Sequence, residues 1–183
     1  MKTRFLVGLL LLAGAVPATS PALADGFRDP HDFVLSVDVA EDFTKFVFTP
    51  LSPGAPPERG ATFITEGSLF PAGTIPDDPT DFDPAKSGST GKWICGGTHL
   101  VAASEIPAAP VWVMTDQLYQ LPGQERMLTT SGTEGGTVSV RAVTGGTGVF
   151  KGWVGEQRQR FLGFNKTGGV TLRVTFRLRR ATP

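Results

Sequence analysis

Cysteine and tyrosine each occur once, as Cys95 and Tyr119, and histidine twice, as His31 and His99. The chain therefore holds few thiol, phenol and imidazole groups, while serines, aspartates and other hydroxyl and carboxyl side chains are plentiful. In an extended segment, residues two apart share a face. That spacing puts Trp93, Cys95 and His99 on one side and turns Lys92, Ile94 and Thr98 to the other. A ring, a thiol and an imidazole along one wall describe a pocket for a mainly apolar molecule with a few polar contacts. The same face equally describes the filled interior of a small barrel. A lone cysteine cannot form an internal disulfide, so Cys95 reads either as a buried apolar group or as a reactive thiol.

Other constellations fail on spacing. Gly146-Thr-Gly148 followed by Gly152 sets the third glycine one residue late for a dinucleotide fingerprint, and a strand follows where a helix is required. Gly91-Lys92 lacks the preceding glycine of a phosphate loop, and no Gly-x-Ser-x-Gly elbow occurs. Cys95, His99 and His31 contain no close ligand pair for a metal, and Asp77, Asp78, Asp81 and Asp83 lack the alternation and closing glutamate of a calcium loop. No metal and no cofactor are expected. Asn165-Lys-Thr167 is an acceptor sequence for glycosylation in a host that modifies exported proteins.

The elements that must position these residues are strands. Val170, Leu172, Val174, Phe176 and Leu178 alternate with Thr and Arg, giving one dry and one wet face. Weaker alternation predicts strands at 33–39, 61–70, 92–101, 111–121, 126–131, 137–143 and 149–161, with a further short one in 43–48. Turn residues separate the runs: Ser52-Pro-Gly, Pro56-Pro57, Pro71-Ala-Gly, Pro107, Pro122-Gly, Gly135-Gly136 and Gly168-Gly169. About eight strands with short joints predict an all-β, closed antiparallel barrel, which removes exposed sheet edges; a two-sheet sandwich fits the composition nearly as well. The barrel is preferred because of 142–155, where Gly145, Gly146, Gly148, Gly152 and Gly155 mark strands coiling sharply at a corner. Residues 71–91 form the longest irregular piece, of the kind that serves as a mobile cover or lid. The arginines 158, 160, 173, 177, 179 and 180 read as a solvated strand face.

At the N-terminus, Lys2 and Arg4 precede an apolar run from Phe5 to Val16 and the small-residue site Ala22-Leu23-Ala24. This predicts a signal peptide over 1–24 and a secreted, extracytoplasmic protein, the apolar run being shorter than the roughly 20 residues that span a bilayer. One domain, 25–183, remains, without Lys2 and Arg4 of the 17 basic residues and with all 17 acidic ones. That balance favours neither nucleic acid nor an anionic membrane as partner.

The stretch Ala142-Val-Thr-Gly-Gly-Thr-Gly-Val-Phe-Lys-Gly-Trp-Val-Gly155, with the strand ending Val174-Thr-Phe-Arg-Leu178, resembles the C-terminal half of the allene oxide cyclase barrel family. The related dirigent proteins carry a similar Gly-Gly-Thr-Gly stretch. Arg59 to Gly67 is similar to the family's second long strand, and Gly91 to Cys95 to the next. The resemblance implies an eight-stranded calycin-like barrel with a mostly apolar cavity and, as in characterised plant members, a homo-oligomer. It places Cys95 where the cyclases have a cysteine facing the cavity, and Tyr119 near a family aromatic, so that Trp93, Cys95, His99 and Tyr119 form the candidate pocket wall. The cyclases also carry a glutamate and a nearby proline on the first strand; the matching stretch here, Asp32 to Ala40, holds neither. The expected function is a barrel that binds or orients a small hydrophobic molecule. The alternatives are a non-catalytic structural or interaction module with a filled barrel, and an isomerase-like enzyme acting on a lipid or phenolic substrate.

Overall fold

A computed structural model describes residues 33–52, 54–106, 109–123 and 125–181. The expected signal peptide, 1–24, and His31 lie outside the described residues. Nine strands are present among the described residues: β1 (Phe33–Glu41), β2 (Val47–Thr49), β3 (Thr62–Pro71), β4 (Gly91–His99), β5 (Val113–Gln120), β6 (Met127–Glu134), β7 (Val138–Gly146), β8 (Trp153–Phe164) and β9 (Val170–Arg180). Single 3-10 turns are the only helical pieces among the described residues, and no helix there is long and apolar enough to cross a membrane.

Every neighbouring pair is antiparallel. The order runs β1-β9-β8-β7-β6-β5-β4-β3, and β3 pairs back onto β1, so eight strands close into a barrel rather than a sandwich. β2 lies beside β3 alone and continues the line of β1 along that edge. Glu41 is opposite Gly67 and Val47 opposite Ile64, so six steps along one strand face three along the other. The excess is taken up by the bulge after β1 that contains the turn Phe43–Lys45, at one end of the barrel. That end, where β4 finishes at His99 and β6 at Glu134, is called the upper end below.

The glycine-rich corner joins β7 to β8 at the lower end. Gly148 holds φ 58°, and a Cβ there would meet the Glu125 carbonyl oxygen at 2.5 Å. Gly155 holds φ 152° and sits so close to β9 that a Cβ would lie 2.0 Å from the Arg177 oxygen. Larger residues are excluded at both positions by backbone, which cannot move aside. Gly145 carries no such constraint, its nearest neighbour being a threonine hydroxyl at 3.7 Å.

Alternation sends one residue in two into the lumen, where the lower half is apolar: Trp93, Leu128, Phe176 and Leu178 are buried together, with Leu35 and Trp153 against them. A second, smaller core lies outside the barrel. Ala40, Phe70, Ile75 and Phe82 pack with Leu162 between the wall and residues 71–91. This loop is not the mobile lid expected from its length and composition. It is a strap fastened to the outer wall, because Asp38 on the outer face of β1 is wholly buried and accepts from Gly73 N at 2.8 Å and Ile75 N at 2.9 Å. Arg173 donates to the same carboxylate at 2.9 and 3.3 Å and to the Ile75 carbonyl at 2.8 Å. Arg173 is thereby an anchor, while the other arginines of the expected face are exposed.

Candidate functional site

The upper half of the lumen is polar, and its residues come from seven strands. Glu134, the last residue of β6, is the hub. Its Oε1 accepts from Thr115 Oγ1, Gln117 Nε2 at 2.9 Å and Arg141 Nη1 at 3.0 Å; its Oε2 accepts from Gln159 Nε2 at 2.7 Å. The Arg141 side chain is fully buried whereas that of Glu134 keeps 19% exposure, so the network reaches solvent through the carboxylate. Below it, Gln157 donates to Gln159 at 2.9 Å and to the Tyr119 hydroxyl at 2.9 Å, and Tyr119 in turn donates to Gln117. A fixed lattice of amides thus separates the apolar floor from the mouth. Charge-assisted bonds such as those at Glu134 are the stronger kind, and the paired members are held in one geometry, Gln157 Oε1 alone of the lattice being buried without a partner.

A second carboxylate stands across the lumen. Glu41 ends β1 facing inward, 5% exposed, and accepts from Thr65 Oγ1 at 2.7 Å and Val170 N at 2.7 Å. Burial pushes its carboxyl above the usual glutamate range, opposed by those two hydrogen bonds and assisted by the negative charges of Glu134 and Asp42. The expectation that the first strand holds no glutamate is therefore corrected. Pairing with β3 continues one residue beyond Ala40, to Glu41 opposite Gly67. No proline stands in β1.

The four residues expected on a pocket wall all point inward, at different depths. Trp93 and Tyr119 are pairing partners in the lower half, both buried, with Tyr119 edge-on to Phe176 at 4.9 Å. They fill the barrel at that level. Cys95 lies higher and is also buried; burial pushes its thiol well up, and the carboxylates of Glu134 and Glu41 add to the shift. It is a small apolar group in the native fold, not an activated nucleophile. His99 is at the mouth, 9% exposed, edge-on to Phe48 at 6.0 Å and tilted on Phe63 at 5.4 Å. Both of its nitrogens are buried without a hydrogen-bond partner, and burial lowers its pKa so that the neutral imidazole is favoured. Phe63 in turn stacks on Phe46 at 5.5 Å, and Phe46 on Phe43 at 5.0 Å. The bulge after β1 supplies this aromatic rim.

Outside the lumen the described surface includes concavities, two of which are sizeable. One, of about 350 Å³, is lined by the strap's own turns from Thr74 to Lys86; the other, of about 510 Å³, lies at the lower end between Ser89–Lys92 and Gln120–Gly123. Among the described residues no group of three or more His, Cys, Asp or Glu side chains is placed to hold a metal. The strap aspartates are committed to local bonds: Asp78 to Thr80, Asp83 to Ala85 N and Lys166, and Asp77 to Arg160. Asn165 of the glycosylation sequence is buried and donates to the Glu41 carbonyl at 2.7 Å, which leaves no room for a glycan in the folded protein.

No protein-family profile matches the chain, and no curated protein sequence matches it. Solved structures do. A pterocarpan synthase dirigent protein superposes with a TM-score of 0.59 at 16% identity, covering 86% of this chain and 100% of its own. A pyocyanin demethylase gives 0.53 at 15% identity, covering 80% and 99%. The Diels-Alderase AbmU from Streptomyces koyangensis gives 0.50 at 14% identity, covering 83% and 65%. The fold is thus the antiparallel barrel shared by dirigent proteins and cyclase-like enzymes, as the glycine-rich corner led one to expect.

Proposed function

We propose that the protein is an extracytoplasmic barrel that binds and orients a small, mainly apolar molecule in the upper lumen, its polar end turned toward His99, Glu41 and Glu134. The observation that carries this reading is His99. A buried polar group without a partner costs about 1–3 kcal/mol, and a ligand reaching the imidazole removes that cost. The phenyl rings beside it supply the apolar surface, and the amide lattice beneath supplies a floor of fixed donors and acceptors. The three superposed proteins, named for a synthase, a demethylase and a Diels-Alderase, support a barrel of this kind as a vessel for small molecules. Export is supported by the Lys2–Ala24 pattern.

Such a site accelerates a reaction chiefly by confining the substrate to one reactive shape. His99 and Glu41 are the lumen groups suited to moving a proton, the first neutral by burial and the second held toward its protonated form. An isomerisation is the reaction type that such a pair serves without a cofactor. The competing reading, a filled interaction module, is favoured by the close packing of Trp93, Tyr119 and Phe176. Native mass spectrometry of protein taken from its own host separates the two. A co-purified small molecule lost in His99→Leu supports binding at the mouth, and a bare chain in both forms supports the filled module.

A further inference from the structure

Six arginines lie on β8 and β9, and the protein supplies partners for half of them. Arg160 donates to Asp77 at 3.0 Å, Arg173 is bonded to Asp38, and the Arg180 guanidinium stands over the Trp153 ring at 5.4 Å. Arg158, Arg177 and Arg179 are exposed on the outer wall and make no ion pair among the described residues. Register fixes their arrangement. Arg158 on β8 is opposite Thr175 on β9, and Arg177 and Arg179 follow Thr175 on the same side of β9, with Glu156 and Val154 as their partners on β8. At a rise of about 3.4 Å per residue the row extends over about 14 Å of strand, with neighbouring members about 7–8 Å apart at the backbone. That is longer than a single anion and suits successive charges along a chain. The flanks are uncharged: Val140 beside Arg158 on β7 and Val34 beside Arg177 on β1. In the row of Arg158 the Ser36 and Thr175 hydroxyls pair at 3.1 Å, so one hydroxyl hydrogen lies between them and the other is free to donate. Glu156 is the one carboxylate among these facing positions, and it too is exposed and unpaired among the described residues.

We propose that this outer face of β8 and β9 binds a linear acidic polysaccharide, its carboxylate or sulfate groups taken in turn by Arg158, Arg177 and Arg179 and its sugar hydroxyls meeting Ser36 and Thr175. The site lies on the outer wall and is independent of anything the lumen holds. A guanidinium is always charged, needs no cavity, and presents a planar fork of donors to an oxyanion. Nucleic acid suits the same charges less well. The residues facing the row are Val34, Ser36, Val140, Val154, Glu156 and Thr175, and none offers a ring on which a base could stack.

The test is fluorescence anisotropy of the intact protein with four labelled probes: an oligogalacturonate, a heparin fragment, a dextran fragment of similar length and a single-stranded oligonucleotide of similar charge. At least one acidic oligosaccharide should bind with a dissociation constant at least about tenfold below those of dextran and the oligonucleotide, and more weakly as salt is added. The variant Arg158→Gln/Arg177→Gln/Arg179→Gln should lose at least about tenfold in affinity, and Glu156→Gln, which removes a repelling charge, should gain. Arg59→Gln/Arg126→Gln/Lys151→Gln removes the same charge from exposed positions elsewhere and should change affinity by less than about twofold. Binding of neither acidic oligosaccharide, equal or tighter binding of dextran or the oligonucleotide, or an equal loss in the control variant overturns the proposal. Should the first variant fail to fold by circular dichroism, Glu156→Gln decides: unchanged or weaker binding overturns it.

Discussion

Asp38→Ala tests whether the strap is held as the geometry says. The substitution removes four hydrogen bonds at once: two from strap amides, at 2.8 and 2.9 Å, and two from Arg173, at 2.9 and 3.3 Å. Ile75 N is left buried without an acceptor, a penalty of about 1–3 kcal/mol. Removing one partner of a buried ion pair costs about 3–5 kcal/mol. Because the Arg173 side chain is 29% exposed, and keeps both water and the Ile75 carbonyl, the lower end of that range applies. The loss is set at about 3 kcal/mol, which in a domain of this size lowers Tm by about 6–12 °C. The strap does not escape the penalty by letting go, since release would expose Phe70, Ile75 and Phe82, each contributing about 1.5–3 kcal/mol by its burial. Thermal unfolding followed by circular dichroism measures the drop, and amide hydrogen exchange at Gly73 and Ile75 locates it. Asp38→Asn, which retains one acceptor oxygen, should lose about half as much. A fall of less than about 2 °C in Asp38→Ala, or unchanged exchange at the two amides, refutes the anchoring argument.

Three further outcomes are expected. Cys95, buried and with its thiol pushed up, should react with a thiol reagent only as fast as the barrel opens; labelling as fast in native as in denaturant-unfolded protein contradicts the packed lumen. Glu41 holds its proton more tightly folded than unfolded, so the native state binds more protons in the window between the two pKa values and stability falls as pH rises through it. Tm against pH should show that slope in the wild type and lose it in Glu41→Gln. Asn165→Ala should cost about 1–3 kcal/mol in denaturant unfolding, because the Glu41 carbonyl loses its buried donor, and folded protein offered to an oligosaccharyltransferase should stay unmodified at Asn165.

The barrel was legible because its signal is local. Alternation along β9 and the glycines at 148 and 155 record constraints that a few neighbouring residues impose, and each has a counterpart in backbone geometry. The polar lumen was hidden for the opposite reason. In Glu156-Gln-Arg-Gln-Arg160 both faces of β8 are polar, so nothing in the pattern says that Gln157 and Gln159 are buried while Arg158 and Arg160 are exposed. Arg141 and Glu134 look like surface charges until β6 and β7 turn them toward each other. Glu41 was missed by a single position, because a strand end is fixed by its pairing partner, here Gly67, rather than by its own sequence. The strap was misread since its two anchoring apolar residues, Ile75 and Phe82, are sparse among Pro, Asp and Gly, and the carboxylate that receives its amides lies more than thirty residues away.

The two halves of the lumen argue together about purpose. The lower half shows what this chain uses when filling space is the only requirement: Trp93, Leu128, Phe176 and Leu178. Nothing in the geometry prevents the same solution above, where Gln117, Gln159, Arg141 and Glu134 occupy inward positions on β5, β8, β7 and β6 of the same barrel. Replacing a buried ion pair with well-packed apolar residues is often neutral or stabilising by about 1–4 kcal/mol, so the polar network is not retained for stability. Fixing one geometry is a reason a filled module could share for keeping it, but it does not account for an imidazole left unpaired among phenyl rings. A barrel that receives a polar ligand end has a reason for both, since the amide lattice fixes the floor against which the ligand is oriented while His99 and Glu41 stay uncommitted to any charged partner in the protein.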